Sequence, residues 1–128
     1  MNYVTDTHSL VWYFTDDQRL SKKALKAFED TVKAGQLIVP TVILAEILFI
    51  ARKSRVSLGF AETVARIEAM ANFEIVALDL DVLRIADGID ASLEMHDKLI
   101  VATAIRYDAR LITKDEQITK SKAVKTIW

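Results

Sequence analysis

Short unbroken apolar runs alternate along this chain with longer stretches whose apolar residues recur at helical spacing. Tyr3-Val4, Leu37-Ile38-Val39, Ile75-Val76-Ala77-Leu78 and Leu111-Ile112-Thr113 read as strands, and Val124 to Ile127 as a last one at a sheet edge. Runs without polar alternation belong to strands buried on both faces, the pattern of a parallel sheet covered by helices. Between them, the segment from Ser21 to Ala34 repeats Leu25, Phe28 and Val32 on one helical face, with Ser21 as N-cap and Gly35 just past the C-cap. Pro40 ends the second strand, and Thr41 offers an N-cap for a helix reaching about Arg52. Phe60, Val64, Ile67 and Ala71 mark a further helix. Asp79 or Asp81 caps one that carries Val82, Ile85, Ala86 and Ile89, and another runs from about Met95 to Tyr107. The expected architecture is α/β: a three-layer α/β/α sandwich with a central, mainly parallel sheet of four or five strands, forming one domain over residues 1–128.

Composition narrows the function classes. A chain of 128 residues, 52% apolar and 27% charged, suits one globular domain, and no internal repeat or linker divides it. The absence of cysteine excludes disulfides, thiolate catalysis and sulfur-ligated zinc, and nothing points to secretion. The longest nearly uncharged stretch, Leu37 to Ala51, contains Pro40 and Glu46 and is too short to span a bilayer, so a cytoplasmic location is expected. Seventeen basic against eighteen acidic residues give a net charge of −1, which disfavours a broadly positive nucleic-acid-binding surface.

Four acids stand where an ordinary solvated surface would not put them. Glu46 is the only charge in VILAEILFIA, a helix segment that reads as apolar all round and therefore buried. A carboxylate in such a setting needs a cation, a metal or several donors; the competing reading is a narrow solvent-facing edge. Asp6 ends the first strand, the position of a catalytic carboxylate in a parallel sheet, though it also suits an N-cap. Asp97 opens the apolar run DKLIVATAI, where an acid also complements the helix dipole. Asp115 follows the strand Leu111-Ile112-Thr113 and doubles as a turn or cap residue.

Considered together, these acids can converge on one edge of the sheet. Two like charges 4 Å apart repel by about 4 kcal/mol at an effective dielectric near 20, so such a cluster calls for a counter-charge. An all-oxygen donor set suits Mg²⁺ or Mn²⁺ rather than zinc. The chemistry that fits best is metal-dependent phosphodiester hydrolysis.

These residues resemble the PIN-domain nucleases, most closely the VapC-type toxins of bacterial toxin–antitoxin pairs, over essentially the whole chain. YVTDTHSLVWYF is similar to the family's strand-end acid followed by a hydroxyl, which implies Asp6 with Thr7 or Ser9 in support. LSKKA resembles the start of the family's second helix, and PTVILAEI implies Glu46 as the helix-borne acid. HDKLIVATA resembles the most diagnostic segment and implies Asp97, and LITKDEQI implies Thr113 and Asp115. The ending VKTIW is also typical of the toxin subgroup. Where many relatives carry Asp-Pro before the diagnostic acid and Arg after it, this chain has Glu94-Met95-His96 and Lys98. Lys98 keeps the charge for a phosphate contact without the bidentate fork of arginine. Glu94 reads either as an outer acid or as a plain surface residue.

The resemblance implies a PIN-like fold and a toxin endoribonuclease. Asp6, Glu46, Asp97 and Asp115 would be both catalytic and metal-binding, with Mg²⁺ or Mn²⁺ as cofactor. RNA is the implied substrate, an antitoxin the implied partner and a homodimer the implied assembly. The alternatives are a PIN nuclease of RNA processing and an inactive binding module. His8 and His96 lie beside site acids but form no triad or zinc set, and Trp12, Tyr13 and Phe14 read as core. The stretch Arg106–Lys125 holds six basic and three acidic residues, suiting either a phosphate backbone or a solvated face. Setting the four acids aside leaves fourteen acidic against seventeen basic residues, a balance of +3 that suits RNA.

Overall fold

The computed structural model describes residues 1–52, 58–89 and 92–128. In chain order the elements are β1 (Asn2–Thr5), α1 (Thr7–Phe14), α2 (Lys22–Lys33), β2 (Gln36–Pro40), α3 (Thr41–Arg52) and α4 (Phe60–Ala69). They continue with β3 (Phe73–Val76), α5 (Leu80–Asp87), α6 (Met95–Arg106), β4 (Arg110–Ile112), α7 (Glu116–Ser121) and β5 (Thr126–Ile127). The described strands form one sheet in the order β3-β2-β1-β4-β5, and every pair is parallel. The sandwich expected from the apolar runs is present, with five strands.

The registers explain why these runs become strands. Val4 lies between Ile38 and Leu111, so three branched apolar residues cross the sheet in one row. All three are essentially inaccessible, as a strand covered by helices on both faces requires. β3 begins two residues earlier than its apolar run suggests, because Phe73 pairs with Leu37 and Val76 with Pro40. Pro40 is the last residue of β2 rather than a residue beyond it.

Two helices bury different faces from those expected. In α2 the buried residues are Ala24, Ala27, Phe28 and Thr31, while Leu25 and Val32 are exposed. Small side chains let α2 approach β1 and β2 closely, and Phe28 stacks on Tyr13 at 4.4 Å between ring centroids. In α3 only one side is covered: Ile43, Leu44 and Ile47 are buried, but Leu48 and Phe49 are 45% and 61% exposed. The expectation of a helix buried all round is therefore corrected. Its apolar residues exceed what α1, α4, α6 and β2 cover. The ends were more legible. Ser21 caps α2 by accepting from the Ala24 N–H, and Asp79 caps α5 by accepting from Val82.

Gly35, between α2 and β2, has φ +102°, a region that L side chains rarely adopt. A Cβ there would also run into the backbone carbonyl of Met1 at the start of β1. Gly35→Ala is therefore expected to destabilise the fold by at least about 1–3 kcal/mol. Urea denaturation checks this as a lower midpoint at an unchanged slope.

Candidate active site

The strand order sets the place of the site. From β1 the chain moves outward through β2 to β3, and it later returns to add β4 and β5 on the other side of β1. The boundary between β1 and β4 is thus the topological switch point, where a crevice opens beyond the carboxyl ends of the strands. Asp6 follows β1, and Thr113 and Asp115 follow β4, so adjacent strands deliver them to the same crevice.

Asp6 is gripped at both carboxylate oxygens. Oδ1 accepts from the Ser9 backbone N–H at 2.9 Å, and Oδ2 accepts from the Thr113 hydroxyl at 2.6 Å. The first contact makes Asp6 the N-cap of α1, so capping and site roles coincide. Burial pushes the Asp6 carboxyl above its ordinary value, and the donors from Ser9 and Thr113 oppose that rise. Thr113 Oγ1 also accepts from the Asp115 backbone N–H at 3.1 Å, and Asp115 in turn caps α7 through the Ile118 N–H at 3.0 Å. One buried hydroxyl therefore ties together the two acids that follow β1 and β4.

Glu46 and Asp97 reach the crevice from α3 and α6. Between them stands His96, whose Nε2 lies 2.9 Å from Glu46 Oε2 and 3.3 Å from Asp97 Oδ1. Asp97 is pushed up chiefly by burial; His96 opposes the rise, while Asp115, Glu94 and Glu46 add to it as like charges. All four expected acids line a single cavity of about 910 Å³, together with Glu94 and His96. Thr7 also lines it, and its buried hydroxyl has no hydrogen-bond partner among the described residues. Clustered carboxylates, a nearby imidazole nitrogen and an orphaned buried hydroxyl are a donor set that suits a hard or borderline divalent cation.

The cavity has a second character at another part of its wall. Trp12, His8 and Arg19 line it, with the Trp12 ring 5.7 Å from His8 and the Arg19 guanidinium 5.0 Å above Trp12. Asp17 fixes that guanidinium through a bidentate contact, and Arg19 holds the Asp17 carboxyl down to about 2. Trp12 is thus a half-buried wall residue rather than core, while Tyr13 packs on Phe28 as expected. Lys114 lines the cavity, but Lys98, half-buried on α6, is not among its lining residues. Arg19 carried no signal in the sequence, because it lies in an exposed turn remote from every site acid.

The PIN domain family model matches residues 3–123. Ribonuclease VapC22 of Mycobacterium tuberculosis is 28% identical over 127 residues, covering 96% of this chain and 95% of that protein. Among solved structures, VapBC2 from Rickettsia felis, bound to a DNA fragment from its promoter, superposes with a TM-score of 0.72 at 16% identity. The match covers 98% of this chain and 97% of that one. VapC20 of Mycobacterium tuberculosis, a toxin that cleaves the sarcin–ricin loop, gives 0.67 at 12% identity with both chains fully covered. At those identities the structural likeness concerns the fold.

The raised carboxyl of Asp97 has a consequence for stability. A carboxyl whose folded value lies above 3.8 leaves the fold without penalty below that pH and withdraws stability as pH rises through the folded value. With divalent ions chelated, Asp97→Asn is expected to be at least as stable as wild type near neutral pH. That advantage should close as pH falls below about 3.8. Urea denaturation across the pH range checks both the sign and the window.

Proposed function

The chain belongs to the PIN domain family, and on that premise we propose that it is a ribonuclease toxin that hydrolyses RNA phosphodiester bonds with a divalent cation, Mg²⁺ or Mn²⁺. Residues 1–128 act as one nuclease domain. The observation that carries this reading is the convergence of Asp6, Glu46, Asp97 and Asp115 on one cavity at the β1/β4 switch point. Retention of all four acids weighs against an inactive binding module.

Each acid has a holding role that follows from its contacts. Asp6 presents a carboxylate whose orientation is set from both sides by Ser9 and Thr113. Asp115 is oriented by its cap, and Asp97 and Glu46 face one another across His96. Thr7 offers its unpartnered hydroxyl to whatever occupies the acidic end. These residues would hold a divalent cation, whose chemistry would be to offset charge on the scissile phosphate and lower the pKa of a water.

Other lining residues of the cavity suit the polymer. Arg19 and Lys114 bring positive charge to a backbone that the acids would otherwise repel. Trp12 offers a ring for an unpaired base, a contact that tolerates any base because each has a π-face. The same family reading brings an antitoxin as partner, a second copy of the chain as dimer mate and the cytoplasm as location. Leu25 and Val32 of α2 and Leu48 of α3 provide exposed apolar surface for a partner segment. No described helix is long and apolar enough to cross a membrane.

Cleavage-site mapping on total cellular RNA, with wild type and an Asp97→Asn variant shown to be folded, tests the nuclease reading. Cleavage is expected to fall by at least about a hundredfold in the variant; undiminished cleavage would overturn the role given to Asp97. Trp12→Leu is expected to weaken RNA binding by about 1–3 kcal/mol. In steady-state assays on a short single-stranded oligonucleotide, that appears as a raised KM with kcat little changed.

A further inference from the structure

We propose that His96 is itself a ligand of the divalent cation, donating through Nε2, and that this nitrogen gives the site a preference for borderline first-row ions such as Mn²⁺ over Mg²⁺. The proposal rests on the reading that this cavity holds a divalent cation, and it goes beyond the four-acid set by adding a donor of a different class.

The distances carry the assignment. Two donors bound to one cation at about 2.1 Å and at right angles lie about 3.0 Å apart. His96 Nε2 lies 2.9 Å from Glu46 Oε2 and 3.3 Å from Asp97 Oδ1, so each of these oxygens stands at the spacing of a neighbouring ligand from the imidazole nitrogen. Donor atoms of Glu94, His96 and Asp97 also lie within 4.8 Å of one another. A hydrogen-bonding role accounts for this arrangement less well. Nε2 bears at most one hydrogen, which can be aimed well at one carboxylate but not at both. Thr7, 2% exposed, lines the same cavity, and its buried hydroxyl has no hydrogen-bond partner among the described residues, an observation independent of these carboxylates.

Local structure explains why His96 can reach the site. Glu94 is the N-cap of α6, and His96 and Asp97 occupy its first turn, so α6 delivers three donors from one helix start. Glu46 comes from α3, which packs against α6, so the imidazole bridges two helices. Imidazole binds Mg²⁺ poorly and ions later in the first row better, whereas carboxylates serve both. An otherwise all-oxygen site would show little such discrimination.

The chain contains two histidines, His8 and His96, and both line the cavity, which makes the test clean. Untagged wild type, His96→Gln and His8→Gln are loaded with Mn²⁺ and studied by pulsed electron paramagnetic resonance. Mn²⁺ and Mg²⁺ affinities of each are measured by calorimetry. Imidazole nitrogen coupling is expected in wild type and His8→Gln and absent in His96→Gln. The ratio of Mn²⁺ to Mg²⁺ affinity should fall about tenfold in His96→Gln. Should His96→Gln fail to fold, the wild-type and His8→Gln spectra still decide, since no third imidazole exists. Mn²⁺ bound by wild type without nitrogen coupling, or coupling lost only in His8→Gln, overturns the assignment and leaves the nuclease reading standing. Failure of wild type to bind Mn²⁺ at all overturns both.

Discussion

Like-charge repulsion among carboxylates is the constraint around which the rest of this molecule is arranged. Burial does most to raise the Asp97 carboxyl, and Asp115, Glu94 and Glu46 add to it as like charges. No fold gains stability from such a cluster without compensation. The chain limits the problem locally, by hydrogen bonds to Asp6 from Ser9 and Thr113 and by an imidazole between Glu46 and Asp97. The remainder of the compensation would fall to the cation proposed for this cavity. A cation held by the folded chain alone would stabilise it, which couples stability to ligand concentration.

The means of holding the acids are ordinary structural devices used twice. Asp6 and Asp115 are N-caps of α1 and α7, so residues that satisfy helix termini also line the cavity. Capping immobilises a side chain at no further expense in rotamer freedom, which suits a residue required to sit still. Thr113 extends this economy, since its single hydroxyl donates to Asp6 and accepts from the Asp115 backbone. Function in this fold is therefore inseparable from helix initiation at the carboxyl edge of the sheet.

The cavity joins two environments that net charge hides. Its acids come from α3, α6 and the segments following β1 and β4, and Trp12, Arg19 and Lys114 add an aromatic ring and two cations to the same lining. The overall balance of −1 averages these regions and says little about either.

Local chemistry made much of this legible in advance. Unbroken apolar runs specify buried parallel strands because polar alternation would waste a face, and Ser21 and Asp79 announce helix starts through their short side-chain oxygens. Four acids were conspicuous because an ionised group among apolar neighbours needs a reason. What periodicity did not settle was which apolar face is covered. Leu25 and Val32 lie outside the buried stripe of α2, and Leu48 is exposed on α3, because coverage depends on what packs opposite. Spacing along the chain was equally silent about the meeting of His96 with Glu46, fifty positions apart. The same holds for Arg19 over Trp12 and Thr113 on Asp6. The sequence by itself determined the elements and the unusual acids, since both follow from short-range patterns. Only the tertiary structure decided which groups share the cavity, since strand order and helix packing bring distant residues within contact.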